Sequence, residues 1–229
     1  MFIKYVTDMF LFCFQSSRLF YFGSVILTLL TTSAFGGSPA RSSGIAQPVK
    51  TLMIFGDSLT AGYGVEEKNS FSKKLSGALK RKGINVTIIL SSVSGDTTAG
   101  GSARIDWALA DKPDAVLLEL GANDGLRGID PKISRKNLEF ILKKLAKHRV
   151  RTLLAGMLAP PNLGKEYTKE FNNIYSSLAE KYDILFYPFF LEGVATKPQL
   201  NQSDGIHPNP KGVDEIVKRI LPIVIKLVK

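Results

Sequence analysis

The stretch Thr51-Leu52-Met53-Ile54-Phe55-Gly56-Asp57-Ser58-Leu59-Thr60-Ala61-Gly62 changes character midway. Residues 51–55 form an almost continuous apolar run, Gly56-Asp57 breaks it, and Ser58 opens a segment that can coil into a helix. A strand covered on both faces reads as such a run, whereas a half-exposed strand alternates. Four further β-rich runs follow at 86–91, 115–120, 151–154 and 184–186.

Between the runs, apolar residues recur at helical spacing: Phe71, Leu75, Ala78 and Leu79; Leu138, Ile141, Leu142 and Leu145; Tyr167, Phe171, Ile174, Tyr175 and Leu178. A last helix carries Val213, Ile216, Val217 and Ile220. Strands that alternate with helices are joined by right-handed crossovers. The expectation is an α/β fold, a three-layer α/β/α sandwich with a five-stranded parallel sheet in the flavodoxin-like order 2-1-3-4-5.

Composition agrees with one enzyme-sized domain plus an appendage. The chain has 229 residues, 45% of them hydrophobic and 10% aromatic, and a single cysteine, which excludes a disulfide scaffold and a chain disordered throughout. Thirty basic against twenty acidic residues give a net charge of +10. Such a field attracts anionic partners, among them lipid headgroups and acidic acyl carriers. The lysines, for example Lys73, Lys80, Lys143 and Lys147, scatter over polar helix faces and form no stripe with aromatics, so nucleic acid is not an expected partner. A monomer is the default.

No charged residue occurs from 19 to 40, and Arg18 stands before the apolar block 19–30. That block is shorter than the roughly 20 residues of a spanning helix and is followed by small residues, the pattern of an export signal over 1–36. An uncleaved signal anchor is the alternative, and Met9 an alternative start. Residues 37–49 read as a linker and 50–229 as the folded domain. Because the only cysteine is Cys13, the exported part carries no thiol, which suits an oxidising compartment.

Ligands in a parallel sheet meet the carboxyl ends of the strands. The first such loop holds Gly56-Asp57-Ser58-Leu59, the second Ser94-Gly95-Asp96-Thr97, the third Gly121-Ala122-Asn123-Asp124, and the chain after the fifth strand reaches Asp204-Gly205-Ile206-His207. Ser58 at a strand-to-helix turn is by itself an ordinary N-cap. His207, three residues after Asp204, changes that reading, since a carboxylate at this spacing can orient an imidazole that takes a serine proton. Asn123 and Gly95 could donate to a developing oxyanion, although each alone is a common turn residue. Asp57 and Asp124 read as loop braces. His148, between Lys147 and Arg149 at a helix end, reads as surface. Two distant histidines give no zinc ligand set, and the Gly-x-Ser-x-Gly elbow is absent at Ser58.

Taken together and in this order, the four blocks resemble those of the SGNH, or GDSL-type, hydrolases. Ser94-Gly95-Asp96-Thr97, Asn123-Asp124-Gly125-Leu126-Arg127-Gly128 and Tyr187-Pro188-Phe189-Phe190-Leu191-Glu192 look like the bacterial periplasmic branch of thioesterases, lysophospholipases and arylesterases. The resemblance implies Ser58 as nucleophile, His207 as base and Asp204 as its orienter, with Ser58, Gly95 and Asn123 forming the oxyanion hole. It also implies cleaved export, no cofactor and an acyl ester or thioester substrate. Leu158, Pro160, Leu163 and Ile206 are the candidate substrate contacts, within or beside apolar segments at 158–167 and 189–200. Two positions depart from the pattern: Ala122 replaces a common glycine, and Leu163 stands where the substrate loop often carries an aromatic. The rival readings are a carbohydrate deacetylase of the same fold, a flavodoxin-like module that cradles a phosphate on residues 58–62, and a silent exported lipid-binding protein.

Overall fold

A computed structural model describes residue 49 and residues 51–229. The export signal expected over 1–36, and the linker apart from Val49, lie outside the described residues. Strands β1 (Thr51–Gly56), β2 (Thr87–Ser92), β3 (Ala115–Glu119), β4 (Arg151–Ala155) and β5 (Leu185–Tyr187) form one sheet in the order β2-β1-β3-β4-β5. All four pairings are parallel. Order and class are those expected, and every strand begins and ends within one residue of its expected bounds.

The helices are α1 (Ser58–Ala61), α2 (Phe71–Arg81), α3 (Thr98–Ala108), α4 (Ala122–Leu126), α5 (Pro131–Lys147), α6 (Lys165–Tyr182) and α7 (Pro210–Val228). Packing pairs α2 with α7, and α5 with both α3 and α6, which gives the two outer layers. The inner side of each long helix is the one its spacing marks: Phe71, Leu75 and Leu79, then Leu138, Ile141 and Leu142, then Phe171, Ile174 and Leu178 are all buried. Each such side chain stabilises the fold by about 1.5–3 kcal/mol relative to its exposed state.

The starts of α2, α3, α5 and α7 are capped by residues that favour caps. Ser70 accepts from Lys73 N–H, Thr97 from Gly100 N–H, Asp130 from Lys132 N–H, and Asn209 from Lys211 and Gly212 N–H. Pro131 and Pro210 occupy first-turn positions, where a missing N–H costs nothing.

β1, β3 and β4 are the sheet's interior and are almost wholly buried, whereas edge strand β2 is half-exposed. One residue stands out in this interior. Glu119, the last residue of β3, is 0% exposed, ends an otherwise apolar strand and lies directly behind the Ser58 turn.

Candidate active site

The turn that carries Ser58 is held from both sides. Asp57 caps the four-residue helix α1 by accepting from Leu59 N–H at 3.0 Å, and Gly62 ends it in the left-handed region at φ 86°. Behind the turn, Glu119 Oε2 accepts from Asp57 N–H at 3.3 Å and from Thr60 Oγ1 at 3.2 Å, and Thr60 Oγ1 lies 2.8 Å from Ser92 Oγ. Gly56 is confined here, because a Cβ would lie 2.3 Å from Thr60 Oγ1 and 2.7 Å from the Glu119 carbonyl oxygen. A short helix with so many anchors holds its first side chain in one place.

Ser58 is 9% exposed, and its Oγ lies 2.9 Å from His207 Nε2. His207 Nδ1 lies 2.7 Å from Asp204 Oδ2. The other Asp204 oxygen accepts from the backbone N–H groups of Ile206 and His207, both at 3.0 Å. These backbone donors, His207 first, hold the Asp204 carboxyl down at about 2, so it is an anion at neutral pH. An anion at Nδ1 selects the tautomer with Nδ1–H, leaving Nε2 to accept the serine proton.

Two neighbours not foreseen from sequence support the histidine. The Tyr63 ring lies 4.5 Å from the His207 ring, centroid to centroid, with the planes tilted by 37°. Gln202 donates from Nε2 to the carbonyls of Tyr63 and Pro208 at 2.8 and 3.0 Å, and its N–H donates to the His207 carbonyl at 2.8 Å. Nothing local marks a tyrosine in a glycine-rich turn as a partner for a histidine 144 positions later, so the sequence carries no signal for it. For Glu119 a signal existed: it is the one charged residue in the apolar run 115–120.

Asn123 sits in the first turn of α4 and, with Ser58, lines one cavity. Its Nδ2 donates to the Asp96 carbonyl at 2.9 Å and reaches Asp57 Oδ2 at a weak 3.4 Å. Gly121 just before it is at φ 114°, and a Cβ there would lie 2.0 Å from the Tyr175 hydroxyl. Asp124 is a brace: it accepts from Thr98 N–H at 2.9 Å, from Thr98 Oγ1 at 2.5 Å and from Ser134 Oγ at 2.9 Å, tying α4 to α3 and α5.

Gly95 lies at φ 81° in the loop after β2, its carbonyl accepting from Arg127 at 3.1 Å. Its N–H enters none of the loop's backbone hydrogen bonds among the described residues. Arg104 fixes this loop from below: it pairs with Asp96 at 2.7 Å, donates to the Ser91 and Gly56 carbonyls at 2.8 and 3.0 Å, and lies over the Phe55 ring.

A cavity of about 480 Å³ opens beside Ser58 and His207, with walls from Met157, Leu158, Pro160, Phe189, Leu191 and Ile206. Leu158, Pro160 and Ile206 of the expected contacts are in its lining. Leu163 is not: it ends the short 3₁₀ turn Pro161–Leu163 and faces Gly128, where a Cβ would meet it at 3.8 Å. His148 is exposed at the end of α5. Among the described residues, no group of three or more His, Cys, Asp or Glu is placed to hold a metal ion.

Fold and geometry define a class, an α/β/α sandwich with a serine, a histidine and a carboxylate in one hydrogen-bonded chain at the carboxyl edge of the sheet. Comparison with known proteins places it more narrowly. Residues 54–214 match the GDSL-like Lipase/Acylhydrolase family, and the chain belongs to that family. It is 40% identical over 185 residues to an arylesterase of Vibrio mimicus, covering 80% of this chain and 92% of that one. It is 38% identical over 184 residues to the thioesterase 1/protease 1/lysophospholipase L1 of Escherichia coli K12, covering 78% and 87%. The crystal structure of AlinE4, an SGNH-hydrolase family esterase, superposes with a TM-score of 0.67 at 47% identity, over 80% of this chain and 98% of that one. The protein is therefore a hydrolase acting on ester bonds, and neither the phosphate-cradling module nor the sugar deacetylase is favoured.

Proposed function

We propose that the protein hydrolyses carboxylic esters and thioesters through an acyl-enzyme on Ser58, and that its substrates carry an apolar acyl chain. The observation that carries this reading is the chain Ser58 Oγ, His207 Nε2, His207 Nδ1, Asp204 Oδ2, with steps of 2.9 and 2.7 Å across ring and oxygens, opening onto an apolar cavity.

In the first half of the reaction Ser58 Oγ attacks the acyl carbon while its proton passes to His207 Nε2. The carbonyl oxygen becomes an oxyanion, held by the N–H groups of Ser58 and Gly95 and by Asn123 Nδ2. Asn123 gives up only its weak 3.4 Å contact to Asp57 and keeps Asp96. Collapse breaks the bond to the alkoxide or thiolate, which leaves with the proton from His207. In the second half, water gives a proton to His207 and attacks the acyl carbon; the Ser58 ester bond breaks, Ser58 regains a proton, and the carboxylic acid departs.

The arylesterase and the thioesterase/lysophospholipase named above support aryl esters, acyl thioesters and lysophospholipids as the substrate range. The apolar block 19–30 and the confinement of cysteine to Cys13 support export, to the periplasm.

Purified protein is assayed with 4-nitrophenyl esters of graded chain length, beside Ser58→Ala and with a fluorophosphonate label. The expected result is hydrolysis lost in the variant and label on Ser58. A folded wild type inert to both esters and label sinks the mechanism.

A further inference from the structure

Glu119 takes no part in the mechanism above, yet it is buried at 0% exposure behind the nucleophile turn. Its Oε2 accepts from Asp57 N–H and Thr60 Oγ1, while Oε1 finds no hydrogen-bond donor among the described residues. An ionised carboxylate with one oxygen bare in an apolar interior is costly, and a second carboxyl group, that of Asp57, is its immediate neighbour. A neutral acid suits the site: Oε2 accepts from the turn, and a proton on the carboxyl relieves both the bare oxygen and the repulsion from the Asp57 side chain.

We propose that Glu119 is a positioning residue that works as a neutral acid, forming with Asp57 a pair that holds a single proton and sets the turn bearing Ser58 in line with Asn123. The link is short. Glu119 holds Asp57 N–H, the Asp57 side chain holds Leu59 N–H at 3.0 Å, and in the resting site, before the amide turns to the oxyanion, Asp57 Oδ2 lies 3.4 Å from Asn123 Nδ2. The attacking residue and the amide donor are thus referenced to one buried pair. The inference rests on the acyl-enzyme reading for what is being positioned, though not for the protonation state itself.

The charged and titratable groups around the pair come from every neighbouring element. Asp57 follows β1, Asp96 lies before α3 with Arg104 paired to it, His207 lies in the loop before α7, and Tyr175 projects from α6 near Asp124 of α4. Burial is the chief influence on both carboxyls. It lifts Asp57 to about 6 and Glu119 well above the ordinary glutamate range, Asp57 adding to the latter by repulsion. Near pH 7 the proton therefore belongs on Glu119 and the charge on Asp57.

The test joins spectroscopy on the full chain to a conservative rescue. Wild type labelled with ¹³C-glutamate is measured by infrared spectroscopy near pH 7. A neutral-acid carbonyl band that shifts with the label, disappears in Glu119→Gln and persists in Glu139→Gln is the expected result. Glutamine offers the same carbonyl acceptor and an N–H donor, so Glu119→Gln is expected to keep kcat within about threefold, whereas Glu119→Ala loses about 10²-fold in kcat with KM little changed. A labelled, folded wild type with no neutral glutamate band overturns the proposal without need of any variant. So does a folded Glu119→Gln as impaired as the alanine variant. If instead Ser58→Ala retained hydrolysis, the acyl-enzyme reading would fall while the infrared result still decided the state of Glu119.

Discussion

Asp204 holds His207 at two points, accepting from its backbone N–H on Oδ1 at 3.0 Å and meeting its ring Nδ1 on Oδ2 at 2.7 Å. One carboxylate therefore sets both the turn that presents the imidazole and the tautomer it presents. Asp204→Asn keeps an oxygen for the turn and can place an N–H donor opposite Nδ1, which favours the wrong tautomer. The expected loss in kcat is about 10²-fold or more with KM changed far less, and the melting temperature near pH 7 falls because the stabilising carboxylate is gone. Steady-state kinetics beside calorimetry separate the two effects.

Asn123→Ala removes the only side-chain donor assigned to the oxyanion. The expected fall in kcat is about 10²–10³-fold at nearly constant KM. A rise in KM at unchanged kcat would mean that Asn123 binds the ground state instead.

Tyr63 is 53% exposed, so its ring contact with His207 contributes more to orientation than to burial. Tyr63→Phe is expected to match wild type, and Tyr63→Ala to lose about 2- to 10-fold in kcat, the range of one aromatic pair. Equal loss in both variants would put the effect on the hydroxyl.

Asp57 and Asp204 bias stability in opposite directions along the pH axis. The Asp57 carboxyl is raised from 3.8 to about 6 by burial, so the folded state binds its proton more tightly than the unfolded chain does. Its cost appears as pH rises through that window and is complete above about 6. Relative to wild type, Asp57→Asn is expected to become progressively more stable as pH rises from about 4 to 6 and to keep that advantage above 6, while losing activity. Asp204 is lowered to about 2, so its contribution is present above its unfolded value near 4 and is lost as pH falls towards 2. Melting temperatures of wild type and both asparagine variants across pH 3 to 8 check the two signs.

Leu158 is 48% exposed at the cavity wall, whereas Leu163 lies outside its lining. Leu158→Trp is expected to lower kcat/KM for long acyl esters by about tenfold relative to short ones. Leu163→Tyr is expected to leave the chain-length profile as it is. A shift with Leu163→Tyr alone would move the acyl path to the 3₁₀ turn.

Much of this architecture follows from local patterns. Near-continuous apolar runs mark β1, β3 and β4, because a strand buried on both faces must be apolar along its length, and helical spacing marks the faces of α2, α5, α6 and α7. Parallel topology then delivers the loops bearing Ser58, Gly95, Asn123 and His207 to one edge. Asp204 with His207 was legible for the same reason, being a contact between near neighbours in one turn.

Contacts between distant segments belong to the tertiary structure alone. The Tyr63 ring meets His207 where Gln202 ties the two turns together, and Leu163 lies outside the cavity lining at the end of a 3₁₀ turn, beside Gly128. The lone charge in β3 could be read as an anomaly from the chain, but not its partner. Only the packing of β3 beside β1 puts Glu119 behind Asp57, and only burial there, by penalising the charged form, gives that carboxyl pair its chemistry.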